Sequence, residues 1–364
     1  MVYVNYYSKI RNRIGMSDAE LEREIKYNTN RVVTKEVPNN TARIQDTHLR
    51  ANTVLENRIE SFIFNHPITI TNTAFVDARL AIYRPYYYDF KQMYETFNIP
   101  KRSGGYREIC APNDELKALQ RELANTFTKT MKFLPHNAAH GFTKKRNCKT
   151  SLEIHKAHGA RWFLKMDIKD FFPNTTFEKI LEAMNTVYPF CNLTEKQKWL
   201  YTCVCTLSEH TPQGAPTSPI ITNMVMVAND VKITKYCKEK GFTYTRYADD
   251  ILISSPVHFD WQTVQQEIAR ILTGYELKQE KTRYGNFNGR NWNLGLMYNN
   301  QNEITVGHAK KKLVKNLVHN YKTKQEYQTI ENWYKLLGTI GYCYYIEPEY
   351  FKDYLDYIKA NPPA

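Results

Sequence analysis

Long apolar runs are what this sequence most plainly lacks. No stretch approaches the roughly 18 consecutive apolar residues of a membrane span, and the opening MVYVNYYSKIRNR has no apolar core of the kind a secretory signal carries. No membrane partner is expected, and the expected location is the cytoplasm. Organised cysteine is also missing. The seven cysteines are odd in number and scattered, and Cys203 and Cys205 form a lone C-x-C with no second pair at zinc-finger spacing. Reduced cysteines in a cytosolic protein follow. Repeats and low-complexity tracts are absent. Acid is in deficit: 37 Asp and Glu face 50 Lys and Arg, a formal net charge of +13. A surplus of that size points to a polyanion, either nucleic acid or an anionic membrane surface. No amphipathic anchor stands out to favour the membrane.

Against these absences stands RYADDILIS, Arg246 to Ser254. Two adjacent carboxylates, Asp249 and Asp250, lie between short alternating runs that predict strands over 244–248 and 251–255. Asp suits a tight turn, so a plain hairpin with two solvated acids is one reading. A rigid carboxylate pair that holds divalent metal is the other. A third acid would favour the second. RWFLKMDI, 161–168, predicts a buried strand that ends at Asp167. An acid there is costly unless it is satisfied or functional. Asp170 lies past the strand and is expected to be structural or exposed.

Residues 1–75 predict an N-terminal helical extension, with Ser17 and Glu20 as a capping box. IPKRSGGYREICAP predicts a basic hairpin turning at Gly104-Gly105, and its Lys101, Arg102 and Arg107 suit a triphosphate clamp. Leucines and other apolar residues at 116, 119, 123, 127, 131 and 134 predict a helix. Between residues 128 and 165 there are nine Lys or Arg and one acid, with Lys144, Lys145 and Arg146 adjacent and Phe142, Trp162 and Phe163 interleaved. That pattern tracks a phosphate backbone more often than a solvated face does. Thr175 and Glu178 are expected to cap the next helix. TPQGAPTSP, Thr211 to Pro219, predicts a rigid loop with Ser218 as N-cap and Pro219 at N1 of a helix running to 238. Within it, Gly214 allows close backbone approach to a ligand and Gln213 offers a donor and an acceptor. Residues 261–275 predict an amphipathic helix, and NWNLGLMYN a strand. Over 307–324 there are six lysines and no acid, including Lys310, Lys311, Lys312 and Lys315. Leu313, Leu317, Val318 and Tyr321 are expected to share its apolar face.

With RYADD, MDIKDFF and TPQGAPTSP in this order, the chain resembles a reverse transcriptase from about Lys101 onward. The resemblance implies an α+β right-hand polymerase with fingers at 76–160 (and 190–215 nearby), a split βαβ ferredoxin-like palm at 161–300, and a helical thumb at 301–364. It implies RNA-directed DNA synthesis from dNTPs with two Mg2+ ions, Mn2+ being a substitute. Asp167, Ile168, Asp249 and Asp250 are the implied metal-holding positions, with Asp249 indispensable and Asp250 more tolerant. Lys281 would protonate the leaving pyrophosphate. Lys101, Arg102, Arg107, Gln213 and Gly214 would hold the nucleotide, and Phe172 would exclude a 2′-hydroxyl. Tyr247 and Ala248 would lie beneath the primer terminus. Trp292 and Gly295 would belong to the primer grip, and the lysines of 310–315 would follow a duplex.

QGAPTSP is similar to the form in group II intron and retron enzymes. SLEIH, Ser151 to His155, resembles a retron element but lacks its Asn-Ala opening, and ITVGH, Ile304 to His308, matches only in part. The resemblance implies a free-standing bacterial enzyme, retron-like or from antiphage defence, that works with a structured non-coding RNA and makes a cDNA. It leaves room for an effector protein or a homo-oligomer. Maturase and endonuclease regions are not expected. Two rivals stay open: a template-independent or protein-primed DNA polymerase of the abortive-infection type, and a non-enzymatic RNA-binding protein.

Overall fold

The computed structural model describes residues 41–66, 68–72, 86–101, 104–288 and 292–363. The expected capping box at Ser17 and Glu20, most of the N-terminal extension, and Arg102 lie outside them. In chain order the elements are α1 (Thr41–Asn65), β1 (Thr69–Asn72), β2 (Tyr86–Asp89), β3 (Tyr94–Pro100), β4 (Tyr106–Pro112), α2 (Asp114–Asn125), α3 (Cys148–Ala157) and β5 (Trp162–Asp167). There follow α4 (Phe177–Thr186), α5 (Glu195–Cys205), α6 (Ser218–Val225), α7 (Val227–Glu239), β6 (Thr243–Tyr247), β7 (Asp250–Ser255) and α8 (Trp261–Ile271). The chain closes with β8 (Arg283–Asn286), β9 (Met297–Tyr298), β10 (Ile304–Thr305), α9 (Gly307–Thr323), α10 (Ile330–Ile346) and α11 (Pro348–Ala360). They form two compact units. One takes residues up to 137 together with 170–232, and the other takes 138–169 together with 233–364.

In the first unit, β3 and β4 pair antiparallel from Tyr94↔Pro112 to Pro100↔Tyr106. The connecting loop is longer than the expected Gly-Gly turn. It runs from Lys101 to Gly105 and closes through the Lys101 N–H on the Gly105 carbonyl, 2.9 Å. Both glycines have positive φ, so they turn the chain inside a wider loop. α2 starts at an Asn113 cap that accepts from the Leu116 N–H. The helix ends at Asn125 in a wider turn, so Leu134 falls outside its period and is 60% exposed. Thr175 does not cap α4. Its buried hydroxyl donates to the Phe171 carbonyl, 2.8 Å, and the capping position falls to Thr176. Ser218 is likewise the first residue of α6 and not its cap. Its hydroxyl donates to the Pro212 carbonyl, 2.6 Å, which ties the proline loop across its own base. The helix expected over 219–238 is broken at Met226 into α6 and α7.

The second unit is built on a four-stranded antiparallel sheet in the order β6-β7-β5-β8. With β5 and β7 in the centre, this is the strand order of a split βαβ sheet. The fourth strand is the short, polar RYGN segment of β8 and not NWNLGLMYN, which makes a tight turn and then the two-residue β9. Phe163 of β5 stacks on Trp292, ring centroids 5.0 Å apart. The same continuous core takes in Leu152, Tyr298, Val314, Val318, Ile340 and Phe351, so the C-terminal helices share a core with the sheet. On α9 the buried face is Val314, Val318 and Tyr321, while Leu313 is 47% exposed. Among the described residues, no helix is long and apolar enough to cross a membrane.

Candidate active site

The site starts from strand register. Asp167, the last residue of β5, lies opposite Asp250, the first residue of β7. Tyr247 pairs with Asp250, which leaves Ala248 and Asp249 as a two-residue hairpin loop. The Ile168 N–H donates to the Asp249 carbonyl, 2.9 Å, and locks the loop to the end of β5. Three carboxylates from two segments therefore meet at one end of the sheet. Asp249 is held above its ordinary pKa, first by burial and then by the neighbouring Asp167 and Asp250 charges. Asp170, in contrast, is exposed with positive φ and serves as a turn, its carbonyl accepting from the Asn174 N–H.

Lysines answer this negative charge. Lys281 Nζ is 3.0 Å from Asp167 Oδ2, Lys278 Nζ is 2.9 Å from Asp167 Oδ1, and Lys165 Nζ is 3.0 Å from Asp250 Oδ2. Lys278 and Lys165 were not singled out in the sequence. The signal for Lys165 was available: two residues before Asp167 on a strand, it faces the same side of the sheet. Asp167 Oδ1 is buried and accepts no hydrogen bond of good geometry, so its contact with Lys278 is an ion pair alone.

The donor set suits a hard divalent cation: clustered carboxylates, a buried oxygen without a hydrogen bond, and an acid that resists ionisation beside its neighbours. Among the described residues, however, no three His, Cys, Asp or Glu side chains are gathered closely enough to hold a metal as they stand. Asp167 and Asp250 are turned onto lysines. A cation would therefore be held by Asp167, Asp249 and Asp250 once those ion pairs open. Ile168 is buried and its N–H is bonded to Asp249, so its carbonyl is the only group it can offer.

The hairpin loop is clamped from behind. The Arg246 N–H donates to the Ala138 carbonyl, and the His140 N–H to the Arg246 carbonyl, each 2.7 Å, so 138–140 covers the edge of β6. The buried Arg246 guanidinium donates to the Ala248 carbonyl, 3.0 Å. Ala248 itself sits at φ +54° and is 7% exposed. Gly141 touches this loop so closely that a Cβ there would lie 2.5 Å from the Ala248 nitrogen. Beneath, buried His155 bridges both strands, Nδ1 to Ser254 Oγ at 2.6 Å and Nε2 to Thr245 Oγ1 at 2.9 Å. Burial lowers the His155 pKa to about 3, so the ring is neutral. Gly141, Arg246 and His155 also escaped sequence reading as site residues, because their roles depend on tertiary contact.

Several other expected site residues are placed differently. Trp292 is 1% exposed and donates from its indole N–H to the Phe287 carbonyl, 3.0 Å. It supports the turn above it and offers no face to nucleic acid. The exposed part of that turn is Leu294-Gly295, both at positive φ. Lys311 is paired with Glu347 at 2.5 Å and sits over the Tyr350 ring, while Lys312 and Lys315 are exposed and Lys310 is half-buried. In the basic loop Lys144 and Lys145 are exposed, whereas Arg146 donates to the Ala139 carbonyl, 3.0 Å. Tyr247 is half-buried.

Lys101, Arg107, Phe172, Gln213 and Gly214 belong to the first unit. Lys101 and Arg107 are exposed at the hairpin, and half-buried Phe172 meets Phe171 edge-on. Gly214, at φ +131°, approaches its own chain and not an open ligand site. A Cβ there would lie 2.6 Å from the Cys110 carbonyl oxygen, and the Cys110 N–H donates to the Gln213 carbonyl, 2.8 Å. The glycine is needed to dock the proline loop on β4.

The family model described as reverse transcriptase (RNA-dependent DNA polymerase) matches residues 99–326. The retron Mx65 reverse transcriptase of Myxococcus xanthus is 37% identical over 207 residues, 52% of this chain and 47% of that protein, so the chain spans about half the length of this relative. The retron Ec83 reverse transcriptase of Escherichia coli is 28% identical over 276 residues, 71% of this chain and 85% of that protein. A solved structure of apo telomerase from Candida tropicalis aligns over 86% of this chain and 63% of that one, with a TM-score of 0.47 and 14% identity. The family match covers more than half of the chain and contains Asp167, Asp249 and Asp250, and on that ground the chain belongs to the reverse transcriptase family.

Proposed function

We propose that the chain is an RNA-directed DNA polymerase that extends a primer with deoxynucleotides, and that it serves a retron, taking a structured non-coding RNA as template partner in the cytoplasm. One observation carries the reading: Asp167 opposite Asp250, with Asp249 in the adjoining loop. The family is in general dependent on divalent metal. Mg2+ held by these carboxylates and the Ile168 carbonyl would acidify the primer 3′-hydroxyl and neutralise charge on the triphosphate and pyrophosphate. The protein's remaining work is positioning. Lys101 and Arg107 hold the triphosphate, with Arg102 beside them, and Gln213 orients the nucleotide. Phe172 fills the space of a 2′-hydroxyl. The Lys281 ammonium, paired with Asp167 and half exposed, donates its proton to the leaving pyrophosphate. Lys144, Lys145, Lys312, Lys315 and Leu294-Gly295 contact the nucleic acid.

Primer extension on an RNA template, a DNA template and no template tests this. Deoxynucleotide incorporation on RNA, lost in Asp249→Asn, is expected. Synthesis independent of template would overturn the reading. Phe172→Ala should raise ribonucleotide incorporation, and unchanged sugar selectivity would remove that residue's role.

A further inference from the structure

The lysines at the carboxylates are of two kinds. The Lys281 side chain is half exposed, and a 3-10 turn over Gln279–Lys281 brings it back to Asp167. Lys165 and Lys278 are shielded, with side chains 18% and 21% exposed. Their backbones are also fixed by the sheet. Lys165 lies opposite Leu252, two residues beyond Asp250, so the Lys165–Asp250 contact is the diagonal pair of an antiparallel ladder. The Lys278 N–H donates to the Asp167 carbonyl, 2.8 Å, so its side chain starts beside the carboxylate that it pairs with.

We propose that Lys165 and Lys278 are positioning residues that hold the Asp250 and Asp167 carboxylates in a lysine-paired arrangement that competes with divalent metal. This rests on the reading of Asp167, Asp249 and Asp250 as metal-holding acids. Three ammonium groups lie on two of the three carboxylates, while among the described residues Asp249 makes no ion pair. Two carboxylates are therefore neutralised by the chain itself, with both Asp167 oxygens and Asp250 Oδ2 facing lysines. Divalent metal competes with these ion pairs, because ammonium and metal are drawn to the same carboxylates and like charges repel at this range. Metal affinity is consequently lower than the three acids alone would give. Lys165 and Lys278 then remain nearby as counter-charges for the acids when the metal leaves. Lys281 contributes less to this competition, since solvent screens an exposed ammonium.

The test is Mn2+ binding to the full chain without nucleic acid, read from free Mn2+ by electron paramagnetic resonance. Lys165→Met and Lys278→Met should each bind Mn2+ about three- to tenfold more tightly. Lys165→Arg, which keeps the charge, should stay near the parent affinity. Asp249→Asn separates the two layers of the argument. If it leaves Mn2+ binding intact, the metal-holding reading itself fails. If it abolishes binding while both methionine variants bind as the parent does or more weakly, only the lysine proposal fails. Lys278→Met is the independent arm should Lys165→Met not fold.

Discussion

Two tight turns of the same compact unit carry non-glycine residues in the left-handed region, in opposite surroundings. Ala248, at φ +54°, opens the hairpin loop that carries Asp249. Leu294, at φ +45°, opens the turn that rests on Trp292. The first is 7% exposed, held by the Arg246 guanidinium on its carbonyl and pressed by Gly141. The second is 50% exposed, and a Cβ added at Gly295 would meet nothing within 4 Å. A backbone conformation that costs about 1–2 kcal/mol persists only where surroundings impose it. At Ala248 the surroundings are backbone and a buried charge, which fix the position of a carboxylate. At Leu294 they lie only beneath, which leaves an apolar tip on a rigid base. Fixed placement suits chemistry, and an exposed tip suits contact with a long partner.

The largest effect is expected at the clamp. Gly141→Ala forces its Cβ against the Ala248 nitrogen, and a displaced carboxylate of about 1 Å costs on the order of 100-fold in turnover. Steady-state kinetics should show a lower kcat with primer–template affinity unchanged, and a kcat within twofold of the parent would mean that the loop is not positioned from this side.

Acid should loosen the same hairpin. The His155 pKa is about 3 in the folded protein against an ordinary 6.5, so the unfolded chain binds the extra proton between those values. Stability is then full above about pH 6.5 and falls as the pH drops toward 3, by about 1.4 kcal/mol per pH unit from this residue. His140, lowered to about 4 by burial and by Arg146, adds to the same slope. Denaturant melts between pH 7.5 and 5 should be less pH-dependent in His155→Gln, and an equal slope would mean that the ring is not held neutral. The exposed tip should respond least. Leu294→Ala should weaken primer–template binding by a few-fold, roughly 1 kcal/mol or less, without lowering kcat. A loss of turnover there would erase the distinction between the turns.

The acids were legible in the sequence because they sit where alternation stops: Asp167 ends a run of buried strand residues, and Asp249-Asp250 interrupt two strands. Their partners were less so. Lys165 shares a face with Asp167 by the two-residue period of a strand, but its pairing with Asp250 needs the register of β5 on β7. β8 is short and polar, and it is a strand only because β5 offers it an edge. NWNLGLMYN reads as apolar and extended, yet Trp292 and Leu296 are buried by turning back on themselves, the Trp292 N–H donating to the Leu296 carbonyl. Leu313 follows the helical period of α9 and still faces out, since the core is met by Val314, Val318 and Tyr321. Gly214 and Gly141 both mark close backbone approach, but the sequence could not say whether to a ligand or to the chain itself.

If the clamped Asp249 is the acid on which the chemistry turns, while Asp250, on β7 and paired with Lys165, shares its load, their substitutions should differ. Single-turnover incorporation of a deoxynucleotide on an RNA template, compared between Asp249→Asn and Asp250→Asn, tests this most directly. A loss of at least about 1,000-fold is expected for Asp249→Asn and a clearly smaller loss for Asp250→Asn. Equal losses, or an Asp249→Asn protein that still incorporates at the parent rate, would contradict it.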